Sequence, residues 1–115
     1  MTDSALRWRP IGMEPGVHAA QLDRIIAVIP LANVSIAVIT QDAPLETILW
    51  CGFDLFDERD PGYQPLVVIE MPHRADETSD PDDVELYRSH LSAIRDAAVC
   101  GDEAVAAIRA VGTRP

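Results

Sequence analysis

Glu70 is the residue whose type and setting first suggest chemistry. It follows the apolar run Leu66-Val67-Val68-Ile69, which reads as a strand, and ligands of α/β sheets collect at strand ends. A carboxylate buried there needs a cationic partner, which Arg74 or an arginine on a helix could supply. An enzyme could use such a group in a strand-end cleft, with a histidine or arginine beside it. The plainer reading makes Glu70 a structural ion-pair residue at the sheet edge, and the residues favour it.

The other reactive side chains form no pattern. His18, His73 and His90 are not spaced four apart from one another or from a cysteine, and neither HExxH nor CxxC occurs. His73 with Asp76, Glu77 and Asp80 could hold a divalent cation weakly, but acidic loops are ordinarily just solvated. His90, beside Leu91, reads as flanking the core. Ser35 and Thr40 have no GxSxG around them, and no phosphate-cradling glycine motif is present. No catalytic residue, metal set or cofactor is therefore expected, and the residues describe a non-enzymatic binding or interaction domain.

Composition narrows the partners. The 115 residues suffice for one domain with a real core, and 48% of them are hydrophobic, as in a folded chain. Nineteen acids against nine bases give a net charge of −10, which repels phosphate backbones and argues against direct nucleic-acid contact. All the bases are arginine, a mark of a GC-rich genome rather than of function. Cys51 and Cys100 belong to no pair and read as reduced core residues. The start MTDSALRWRP has no apolar signal region and no apolar run approaches ~18 residues, so neither export nor a membrane span is expected and the location reads as cytoplasmic.

The elements that position these residues follow from periodicity. Residues 1–14 read as an extended lead-in punctuated by Pro10 and Gly12. Its Trp8 could mark a contact surface, though folding back onto the core is preferred. A helix is predicted over Pro15–Val28, with Leu22, Ile25, Ile26 and Ile29 as its apolar stripe and Gln21, Asp23 and Arg24 facing away. Residues 33–40 read as a buried strand, parallel to another through that helix. Residues 48–71 read as a central hairpin built on Phe53, Leu55 and Leu66–Ile69, and residues 72–80 as an exposed acidic loop. Ser79 or Asp80 then caps a helix opening at Pro81, with Val84, Tyr87, Leu91, Ile94 and Ala98 as its stripe. Gly101 should cap it before a last helix carrying Val105, Ile108 and Val111. The fold class is α/β (or α+β): a small mixed sheet of about three to four strands, with an N-terminal helix and two C-terminal helices packed on it, in a single domain over 1–115.

In order, the segments His18–Ile25, Asn33–Val38, Gly52–Leu55, Val67–Glu70 and a helix ending Ala97-Ala98 resemble one family. It is the C-terminal, antitoxin-like domain of unknown function in actinobacterial helix-turn-helix (XRE-type) transcriptional regulators, and the likeness covers about residues 5–112. Gln21, Phe53 and Glu70 stand at its family-like polar or aromatic positions. Val68 stands where the family usually has Tyr, and Leu91 where it often has Phe. The resemblance implies regulation rather than catalysis, through a homodimer, a protein partner or a small-molecule ligand. It also implies a truncated or stand-alone relative without the DNA-binding part. The tentative ligand or partner residues are Gln21, Phe53, Glu70 and Arg74.

Overall fold

The computed structural model of the chain describes residues 1–47, 51–57 and 62–113. Among them the elements run α1 (Asp3–Arg7), α2 (Pro15–Val28), β1 (Ala37–Val38), β2 (Phe53–Phe56), β3 (Leu66–Met71), β4 (Arg74–Thr78), α3 (Pro81–Ala97), β5 (Val99–Cys100) and α4 (Gly101–Gly112). They divide between two compact units, one formed by Met1–Pro44 with Ala97–Pro115 and the other by Leu45–Asp96. The class is the mixed α/β expected, but the strands form two small antiparallel sheets in place of one mixed sheet.

The first unit is built on amphipathic helices. Helix α2 starts at Pro15, whose fixed φ suits the first turn, and ends ahead of Pro30. Its stripe is the predicted one extended by His18: His18 and Leu22 are buried, and Ile25, Ile26 and Ile29 pack against the core. That core joins Leu6 of α1, Leu22 of α2, Val38 of β1 and Ala104, Ile108 and Val111 of α4. The α4 residues follow the spacing of one helix face. Strand β1 pairs antiparallel with β5, Val38 opposite Val99.

Four expectations for this unit change, and a fifth concerns the two cysteines, of which Cys51 belongs to the second unit. The lead-in 1–14 contains a helix, because Thr2 caps it, its Oγ1 accepting from the Ala5 N–H at 3.1 Å. Five residues are too few to display a period. Trp8 does not fold onto the core; it is 70% exposed. The strand predicted over 33–40 shrinks to Ala37–Val38 and pairs antiparallel, while the expected parallel pairing survives as one bridge, Thr2 to Ile39, with the Asp3 N–H donating to the Ile39 carbonyl at 3.0 Å. Gly101 does not cap α3; with φ +57° it opens α4, after a two-residue strand, a backbone state natural to glycine. Cys51 and Cys100 are both free, but both are exposed rather than core residues.

The second unit is a meander with a helix. Strands β2, β3 and β4 lie side by side, with β3 in the middle. Residues 48–50 and 58–61 of the expected hairpin lie outside the described residues. The register pairs Phe53 with Ile69 and Leu55 with Val67, so these four share a face. Within the apolar run 66–69 only Val67 is fully buried. Residues 72–80 are largely exposed as predicted, yet Arg74–Thr78 is a strand rather than loop. The Pro72-His73 link between paired Met71 and Arg74 reverses the chain, and the ladder bonds form despite poor strand propensity. Its charges suit an edge strand, which must resist further pairing. Asp80 caps α3 as predicted, its carboxylate accepting from Asp82 N–H at 2.9 Å and Asp83 N–H at 3.3 Å.

Candidate functional site

In the first unit a concave apolar site forms where α1 and the turn after it meet α2. His18 makes the junction. Its Nε2 lies 2.7 Å from the Leu6 carbonyl, and since a carbonyl only accepts, Nε2 carries the proton and donates. This buried bond ties the end of α1 to the start of α2. Beyond α1, the Met13 N–H closes a turn onto the Pro10 carbonyl at 3.1 Å. Gly12 takes φ +87° there, the state that the third position of a type II turn requires. A cavity of about 240 Å³ results. Leu6, Leu22 and Ile25 form its inner wall, Trp8, Pro10 and Met13 the outer one, and Gln21 is the one polar side chain lining it. Ile11, in the same turn, is fully exposed.

Gln21 is thus the tentative site residue that the structure places at a cavity. The other three lie in the second unit. Phe53, on β2, serves as an aromatic anchor: its ring centroid is 5.0 Å from that of Tyr87 and 5.9 Å from that of His90 on α3. His90 is buried, not merely flanking, and its Nδ1 is 3.4 Å from the Thr47 hydroxyl. Burial raises the Tyr87 phenol above its ordinary value of 10.0, with coulombic interactions with Cys51 and then Asp83 adding to it.

Glu70 and Arg74 do not pair. The register sets Met71 opposite Arg74, which puts Glu70 and Arg74 on opposite faces of the sheet. Glu70 is exposed, on the face of Val68 and Glu77, with no ion-pair partner among the described residues. Arg74 instead meets Asp76 at 3.6 Å, two residues along its own strand and on its own face, both well exposed. The expected strand-end cation partner for Glu70 is therefore absent among the described residues.

A second cavity, of about 610 Å³, lies in the second unit between Gln64-Pro65 and the start of α3. Arg88 on its wall is held by Asp57 at 2.8 Å and Glu85 at 2.9 Å. The hydrogen bonds that Arg88 donates to Asp57 and then to Glu85 raise its already high pKa, so the cation is committed to the protein's own carboxylates. Among the described residues no group of three His, Cys, Asp or Glu side chains could hold a metal ion, and no helix is long and apolar enough to cross a membrane.

Trp8, Pro10, Met13 and His18 were not singled out as site residues from sequence. Two signals were legible: His18 is one turn ahead of Leu22 on the apolar stripe, and Pro10-x-Gly12 is turn chemistry beside an otherwise isolated Trp. Compared with known protein families, residues 1–110 match a domain of unknown function, DUF5753. Neither the curated proteins nor the solved structures yield a match.

Proposed function

We propose, from the premise that this chain belongs to the DUF5753 family, that it is a non-enzymatic regulatory domain acting by contact. Its resemblance to the sensor half of XRE-type, antitoxin-like actinobacterial transcription regulators supplies the process, transcription regulation. A homodimer, a protein partner or a small ligand supplies the contact. The observation that carries the reading is the apolar surface of the first unit. There Trp8 is 70% exposed and Ile11 fully so, next to a cavity whose lining residues are all apolar or aromatic except Gln21. Large side chains presented to solvent beside a concave site are the usual mark of a recognition surface.

The net charge of −10 supports protein or neutral small-molecule partners over nucleic acid. An enzymatic role for Glu70 draws no support from the sheet, which leaves that carboxylate exposed and apart from Arg74.

Light scattering of the chain and of Ile11→Ser tests the reading. The expected result is a dimer that Ile11→Ser shifts toward monomer. A monomer at high concentration for both, with no change in surface behaviour on substitution, would count against contact through this face.

A further inference from the structure

We infer that the cavity beside Gln21 is a binding site for a small neutral aromatic molecule of one or two rings. The inference deepens the regulatory reading: it rests on that reading for the site's purpose, and on the cavity alone for its chemistry.

Size sets the first limit. An apolar cavity of about 150 Å³ holds a single benzene ring, so about 240 Å³ has room for a fused bicycle. Chemistry sets the second. Leu6, Leu22 and Ile25 offer only dispersion contacts, while Trp8 offers an aromatic surface for stacked or edge-on packing. Gln21 is the one lining side chain that can both donate and accept, and the indole N–H of Trp8 adds a donor. One hydrogen-bonding group on an otherwise apolar ligand matches that inventory. Charge sets the third limit. No ionised side chain lines the cavity, and a carboxylate entering it would lose its water without gaining a cation. The net charge of −10 adds long-range repulsion of anions.

The walls are also prepared in advance. The His18 bond to the Leu6 carbonyl fixes the α1 side, and the Gly12 turn fixes the side formed by Pro10 and Met13. Little ordering remains for these two walls to undergo, which lowers the cost of binding a small molecule.

Indole serves as the probe, followed by NMR on the Gln21 side-chain amide of the full chain. Indole should shift that resonance and saturate at roughly millimolar concentration, as its few heavy atoms allow. Ala5→Phe, which fills the cavity from an exposed position, should weaken binding at least about tenfold. Trp8→Ala should weaken it comparably and covers the case in which the first variant misfolds. Indole-3-acetate, the same bicycle carrying a carboxylate, should bind at least about tenfold more weakly than indole. No shift in the folded chain up to the solubility of indole overturns the proposal. So does indole binding that Ala5→Phe and Trp8→Ala leave unchanged, and equal affinity for the acetate overturns its neutral-ligand clause. Failure of the regulatory reading is distinguishable, because it appears as an unchanged oligomeric mass in Ile11→Ser whether or not indole binds.

Discussion

The two units bury their cores by different means. The first gathers Leu6, Leu22 and Val38 from one end of the chain and Ala104, Ile108 and Val111 from the other, with Val38, Ala104 and Ile108 wholly shielded. The second is continuous in sequence and, among the described residues, buries just two apolar side chains, Val67 and Val84, together with His90. It relies on neighbouring strands joined in series and on the Phe53–Tyr87–His90 rings. Long-range packing thus makes the first unit, and local pairing makes the second. Local pairing costs less chain entropy to close, so a unit of this kind can stand on a thinner core.

Substitutions can break that comparison or sharpen it. The largest effect should come from Ile108→Ala. It deletes a wholly buried side chain where α4 meets the rest of its unit and should cost about 3 kcal/mol in urea unfolding. Val38→Ala in the first unit and Val67→Ala in the second delete the same type of wholly buried side chain, and the second should cost less, about 2 kcal/mol. Equal losses from these two would mean that the two cores are alike after all. Next comes Asp80→Ala, which removes the cap of α3 and should cost about 1 kcal/mol, read from the same unfolding curves and from helical circular dichroism. A negligible change would show that packing of α3, not its local start signal, fixes the helix.

The smallest effect is a pH dependence. The Tyr87 phenol is raised in the folded chain, chiefly by burial, so its stabilising share is present below its unfolded value near 10.0 and is lost as pH rises through the folded value. Tyr87→Phe should flatten the alkaline fall of the urea midpoint. An identical alkaline fall in the variant would remove Tyr87 as its cause.

Legibility in sequence follows the same division between local and distant causes. Helices α2 and α3 could be read because an opening proline and the apolar period coincide in each, and in α3 the capping Asp80 joins them. The β2–β3 pairing could be read from Phe53, Leu55 and the run 66–69. Strand β4 could not, because Arg-Ala-Asp-Glu-Thr has poor strand propensity and takes its conformation from β3. Nor could β5, whose two residues pair with Ala37 and Val38, far earlier in the chain. For the candidate site, Gln21 was legible as a polar position on α2. The cavity beside it was not, since it depends on a one-turn helix and a bond from His18 to a backbone carbonyl. Glu70 and Arg74 looked like partners four apart in sequence, but the tight turn at Pro72-His73 sends them to opposite faces.

The split order of the first unit also bears on how the chain is made. On a ribosome, Leu6 and the apolar stripe of α2 emerge early, whereas Ile108 and Val111, which cover them, emerge only after the whole second unit. At ordinary synthesis rates that delay is on the order of ten seconds. Through it Leu22, Ile25, Ile26 and Ile29 wait uncovered by α4. The nascent chain therefore presents a greasy helix to whatever holdase stands at the exit tunnel, and slowing translation after residue 44 lengthens that exposure.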